Sequence, residues 1–183
     1  MGYDSTFEGS FDLDKPLTNE HTIYLQAFNR SRHMRRNAEL TEKMEDPVRI
    51  AAGLPVGVDG CFYVGGADED CGQAHTEDVL SYNESPADQP GLWCGWTPGI
   101  SETSVDADVN DALVWDGGEK FYNYTEWIEY LIEHFLKPWG YVVNGEVAWR
   151  GESDDDRGTI YVKDNKVEAV DDDIKKGKPS WDR

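Results

Sequence analysis

The stretch Asn123–Trp149, NYTEWIEYLIEHFLKPWGYVVNGEVAW, constrains the fold most, because it joins the chain's longest helical period to its cleanest strand. On a helical wheel Tyr124, Trp127, Ile128, Leu131, Ile132, Phe135 and Leu136 share one half, with Glu126, Glu129, Glu133 and Lys137 opposite. One half belongs to a core and the other to water. Asn123 with Glu126 three residues on predicts a capping box, and Pro138 followed by Gly140 stops the helix after Lys137. Beyond Gly140 the period becomes two: Tyr141, Val143, Gly145, Val147 and Trp149 on one side, and Val142, Asn144, Glu146, Ala148 and Arg150 on the other. That alternation predicts one continuous strand in preference to a hairpin turning at Asn144-Gly145.

The 183 residues suit one domain of ordinary size with a substantial core. The 37 acids against 17 bases, a formal charge of −20, exceed what solubility requires. Such a field repels nucleic acid and anionic membrane, and attracts basic surfaces in a salt-dependent way. No apolar run approaches a membrane span, and the first residues lack a signal-peptide pattern, so a cytoplasmic protein is expected. Cys61, Cys71 and Cys94 are an odd set, as expected of free thiols in a reducing compartment. Gly2 and Thr6 match a loose myristoylation pattern, but the strand that opens there argues against it.

From Tyr3 to Leu13 the alternation is strict and predicts the first strand. Thr18 then caps a helix expected to run through Ile23, Tyr24, Ala27, Phe28 and Met34 to about Arg35. Arg30, Arg32, His33, Arg35 and Arg36 form the basic cluster of the chain, read as cations at that helix's C-terminus and not as a phosphate site. Asp46-Pro47 caps a short helix ending at Gly53. Between Arg49 and Lys120 there is no lysine or arginine, but there are fourteen acids. This region is rich in Gly, Pro, Ser and Asn, with aromatics to bury, and residues 54–119 are expected to form an acidic, loop-rich insertion. Within it Leu92, Cys94 and Trp96 alternate as a strand able to pair with Ala112 to Trp115. Thr159 to Lys163 and Lys166 to Val170 flank the two-residue turn Asp164-Asn165, placing Val162 opposite Val167 and Ile160 opposite Ala169. Residues 171–183 have no period and are expected to fray.

The order strand, helix, two strands, helix, strand predicts a single α+β domain over residues 1–170. It is expected to be ferredoxin-like, an antiparallel sheet with two helices on one face and an extra C-terminal hairpin. The expected core includes Phe7, Phe11, Phe28, Ile128, Leu131, Phe135, Val143, Val147 and Ile160.

No catalytic constellation emerges. Cys61, Cys71, His75 and Cys94 lack the paired spacing of a zinc site. Asp106, Asp108 and Asn110 begin like a calcium loop, but Asp111 and Gly117 stand where glycine and glutamate are needed. Asp154 to Asp156 is a solvated acidic turn. His21, His33, His75 and His134 have no partnered nucleophile, and no P-loop, nucleophile elbow or dinucleotide fingerprint is present. No cofactor and no enzymatic activity are expected, the rival reading being a metal-dependent enzyme on the acidic insertion.

Aromatic residues between Phe62 and Trp115 have no interleaved cations, which disfavours direct nucleic-acid binding and favours a protein partner. The expected contact residues are Asp68, Glu69, Asp70, Glu77, Asp78, Asp106, Asp108 and Asp111, with Trp93 and Trp96.

At GYDSTFEGSFDLDKPL, QPGLWCGWTP, WDGGEKFYNYTEWIEYLIEHFLKPWGY and NGEVAWRGESDDDRGTIYVKDN the chain resembles a family of small acidic proteins from bacteriophages and bacteria. The resemblance spans most of the length and implies provenance and shape, with no activity or site residues to carry over. A phage origin favours an acidic decoy that imitates DNA phosphates and inhibits a basic, nucleic-acid-binding host protein. The alternative is a structural or general interaction protein of a phage.

Overall fold

The alternation that begins near the N-terminus becomes β1 (Ser5–Leu13), and the elements that follow in the computed structural model are α1 (Asn19–Arg30), β2 (Arg35–Arg36), α2 (Ala38–Thr41), α3 (Pro47–Ala51), β3 (Val79–Ser81), β4 (Trp96–Gly99), β5 (Ala112–Trp115), α4 (Tyr124–Leu131), β6 (Val143–Gly151), β7 (Arg157–Lys163) and β8 (Lys166–Asp171). The structure describes residues 2–172 and 177–182. The chain divides into two compact units: Met1–Leu17 with Gly95–Arg183, the sheet unit, and Thr18–Cys94, the inserted unit. These bounds differ from a single body carrying an insertion at 54–119. The first helix and the basic cluster belong to the inserted unit, and the acids of the cation-free stretch are divided between the two.

The sheet unit is built on a six-stranded antiparallel sheet of order β4-β5-β1-β6-β7-β8. Phe7 pairs with Trp149, Phe11 with Gly145 and Leu13 with Val143, so the apolar sides of β1 and β6 share one face. Gly145 sits inside β6 with φ of 148°, and a Cβ there would lie 2.5 Å from the Ser10 carbonyl of β1. Glycine thus permits close strand approach, and the chain continues straight through Asn144-Gly145. The hairpin β7–β8 turns at Asp164 and Asn165, both at positive φ, with Val162 opposite Val167 and Ile160 opposite Ala169 as expected.

α4 covers the apolar face. Its Tyr124 ring stands 4.9 Å from Phe7 and 5.8 Å from Trp149, and Trp127, Ile128 and Leu131 are fully buried. Beyond Leu131 the helix widens into a π-type turn over Ile132–Leu136, closed by a Lys137 N–H to Ile132 carbonyl bond, which keeps Ile132, Phe135 and Leu136 inside. The expected capping box does not form, because Asn123 is left-handed and its side chain makes no cap bond. Only α4 of the two expected long helices packs on this sheet within its unit. Replacing Leu131 with Ala is expected to cost about 2–5 kcal/mol of stability, read from the urea midpoint, because the methyl groups leave a sealed core. A loss below about 0.5 kcal/mol would contradict that assignment.

Every member of the expected core is buried, although Phe28 serves the inserted unit. Of the tail, residues 173–176 and Arg183 lie outside the described residues. In the rest, Tyr161 donates to the Gly177 carbonyl, and the Ser180 N–H and hydroxyl both donate to Glu168.

Candidate functional site

The inserted unit, Thr18–Cys94, positions its charged groups by ending α1 early. The helix stops at Arg30 and not near Arg35: Ser31 turns extended, its N–H donating to the Phe28 carbonyl and its hydroxyl to the Ala27 carbonyl. His33 then turns inward, where Nε2 donates to the Phe28 carbonyl and the ring lies 4.1 Å from Phe28. Burial pushes its pKa down to about 3, so His33 is a neutral core residue. Burying His33, Met34 and Arg36 outweighs continuing a helix whose next residues would hold their cations in water.

Arg30, Arg32, Arg35 and Arg36 therefore lie along an extended segment and meet different partners. Arg30 pairs with Asp68 at 2.8 Å on the surface. Arg35 lies within 3.7 Å of Asp59 and 3.6 Å of Glu84. Arg36 is buried, bonds Asp78 at 2.7 Å, and places its guanidinium 4.5 Å from the Tyr63 ring centre. Arg32 has no carboxylate partner among the described residues. Its guanidinium lies 4.0 Å from the centre of the Tyr82 ring and 5.9 Å from that of Trp93; Nε donates to the Tyr82 carbonyl at 3.0 Å, and Nη2 to Asn83 Oδ1 at 3.1 Å. Backbone bonds from Arg32 N–H to the Cys71 carbonyl and from His33 N–H to the Leu92 carbonyl hold this segment against two loops.

Two buried acids brace the unit. Asp78 is 2% exposed and accepts from Arg36, Thr41 and Thr76. Burial alone would raise its pKa, but these bonds outweigh it and hold the carboxyl below its usual range. Asp46 makes no side-chain cap bond to α3; Oδ2 accepts from Arg49 Nε at 2.7 Å and from Val64 N–H at 3.3 Å, and Oδ1 is buried with no hydrogen bond of normal geometry among the described residues. Burial raises its pKa despite Arg49.

The residues expected to make a contact surface separate by role. Asp68, Glu69, Asp70 and Glu77 are exposed in the inserted unit, with Trp93 at 39% exposure. Asp106 and Asp108 are exposed in the sheet unit, on the loop before β5. Asp78 is not a surface group, because it is consumed by Arg36 and two threonines. Asp111 is half-buried and holds its own loop, accepting from Ser101 N–H at 2.7 Å and Ser101 Oγ at 3.1 Å. Burial works against that charge, yet bonds from Ser101 and Ser104 keep its pKa low. Trp96 is also corrected: it is 1% exposed in the core of the sheet unit, and the strand expected from Leu92 begins only at Trp96. The carbonyls just before it belong to the inserted unit, Leu92 accepting from His33 N–H and Cys94 from Asn29 Nδ2.

Cys61 and Cys94 are buried, Cys71 is exposed, and His75 stacks on Tyr82 at 4.8 Å. Among the described residues no three His, Cys, Asp or Glu side chains come together as a metal cage, and no helix is long and apolar enough to cross a membrane. Sequence reasoning missed Arg32, Tyr82 and Asn83 as a unit; the clue available was an arginine cluster too dense for one helix end. Comparison with protein-family models, with curated proteins and with solved structures gives no match.

Proposed function

We propose that the protein works by binding, presenting exposed carboxylates to a basic surface of another protein that itself holds nucleic acid, and so acting as an acidic decoy or inhibitor. The observation that carries this reading is uncompensated charge. Glu69, Asp70, Glu77, Asp88, Glu102, Asp106, Asp108 and Glu119 are all exposed and take part in no ion pair among the described residues. Water and salt alone neutralise them, so a cationic partner gains by displacing counterions and associates faster through long-range attraction. The resemblance to phage and bacterial acidic proteins supports a host protein, including one of host defence, as the target.

The test is capture from host lysate at low and raised salt, competition with duplex DNA, and two charge-neutral variants. One carries Asp68→Asn, Glu69→Gln and Asp70→Asn; the other carries Glu102→Gln, Asp106→Asn and Asp108→Asn. The expected result is a nucleic-acid-binding partner displaced by DNA, lost as salt rises, and bound at least about tenfold more weakly by one variant. Binding indifferent to salt, DNA and both variants would overturn the reading.

The strand order β4-β5-β1-β6, all antiparallel, with α4 between β5 and β6, also supports reading the sheet unit as a ferredoxin-like sheet extended by β7–β8. Cross-strand nuclear Overhauser contacts test it, since β1 must lie between β5 and β6.

A further inference from the structure

Arg32 stands apart from the other arginines of its cluster, whose charges are each offset by an acid. Its guanidinium is fixed by two hydrogen bonds and two aromatic rings, in a chain with 37 carboxylates to choose from. Nε and Nη2 are occupied, which leaves the Nη1 donors without a protein partner among the described residues. A guanidinium stacked in this way is weakly hydrated and presents planar donors, so it is prepared to bind an oxyanion through its remaining edge. Next to it Trp93 exposes 39% of its surface, a large aromatic side chain only part of which is covered. Tyr82, whose ring is the nearer of the two to the guanidinium, is steadied by His75, stacked with an interplanar angle of 15°, and by its hydroxyl, which donates to Gln73 Oε1 at 3.2 Å. The chain thus offers a held cation beside a partly exposed indole, assembled from three loops by bonds already made.

We propose that Arg32, Trp93, Tyr82 and Asn83 form a binding site for a small planar anion, an aromatic ring carrying a phosphate or carboxylate. The ring stacks on Trp93 and the oxyanion meets the Nη1 edge of Arg32. This site is independent of the carboxylate surface and responds oppositely to salt. An anion approaching a chain of charge −20 is repelled at long range, and salt screens that repulsion while leaving a stacked contact pair largely intact. Affinity should hold or rise between about 50 and 200 mM salt, whereas a cationic partner's should fall.

The experiment titrates adenosine 5′-monophosphate, benzoate, adenosine and inorganic phosphate into the full chain, following the Trp93 indole N–H resonance by NMR. The monophosphate or benzoate should shift that resonance, and which of them binds more tightly identifies phosphate or carboxylate as the preferred anion. Adenosine and inorganic phosphate alone should bind at least about tenfold more weakly than the monophosphate if phosphate is preferred. Arg32→Gln and Arg32→Lys should each weaken binding about tenfold or more, the lysine failing because an ammonium offers no flat face to the rings. Because Arg32 also anchors the Tyr82–Asn83 loop, Trp93→Ala supplies a second variant at an exposed position, titrated by calorimetry beside the parent because its reporter indole is gone, with the same loss of binding expected. The proposal is overturned if neither planar anion moves the Trp93 resonance, if Arg32→Gln lowers the melting temperature but binds as tightly as the parent, or if Trp93→Ala binds unchanged.

Discussion

Replacing Asp78 with Ala is expected to destabilise the protein by about 3–5 kcal/mol, because it leaves the buried Arg36 guanidinium without its counter-charge. The partners are 42 residues apart in sequence, and the carboxylate also takes the Thr41 and Thr76 hydroxyls; of these donors the Thr41 hydroxyl keeps the Asn37 carbonyl and Thr76 can turn to water, so the buried Arg36 bears the loss. Replacing both partners with apolar residues, Arg36→Met with Asp78→Leu, should cost much less than the single change, since no uncompensated charge remains. The same geometry fixes a pH dependence. The folded pKa of Asp78 is lowered, so its stabilisation is fully present above the carboxyl's unfolded pKa and is lost as pH falls through the folded value. Urea midpoints measured from neutral to acid pH should therefore show an acid limb that is shallower in Asp78→Asn. A loss under about 1 kcal/mol for Asp78→Ala would mean that water already reaches the pair.

Local chemistry was legible in the sequence wherever the deciding contacts lie close along the chain. The turn at Asp164-Asn165 and the period-two flanks specify β7–β8 down to its pairs, because hairpin register follows from turn length. The buried side of α4 was equally plain, and the π-type turn after Leu131 changes the backbone bonds without changing which residues are buried. The end of α1 was not legible. Met34 stays in helical phase with Ala27, seven residues earlier, and only the burial of His33 and the distant pairing of Arg36 with Asp78 favour an extended chain there. Glu77 and Asp78 are neighbours of like chemistry, one in water and one buried, and nothing local separates them. Trp93 and Trp96 differ by place: the strand expected from Leu92 begins only at Trp96, whose indole enters the core, while Trp93 lies before it and is exposed.

Trp96→Ala is accordingly expected to cost about 3–5 kcal/mol, an effect on folding and not on recognition. The indole packs edge-on against Phe7 at 5.3 Å, Phe11 at 5.1 Å and Phe121 at 5.2 Å, and its Nε1 donates to the Tyr124 carbonyl at 2.9 Å, tying β4 to the first turn of α4. No smaller side chain fills that space: Phe7 and Phe11 are fixed on β1 by its pairing with β6, and Phe121 alone stands on another segment, so the rings cannot all collapse into the gap. Trp96→Phe retains part of the ring packing and should lose less than the alanine variant. Trp93→Ala, by contrast, gives up an exposed ring and one distant cation–π contact, so its stability should stay within about 1 kcal/mol of the parent. Urea denaturation of the three variants measures the difference directly. Should Trp96→Ala keep its stability while losing a binding partner, its indole would have to leave the core to act. The Phe7, Phe11 and Phe121 cluster would then have to close without it, which the edge-on contacts oppose.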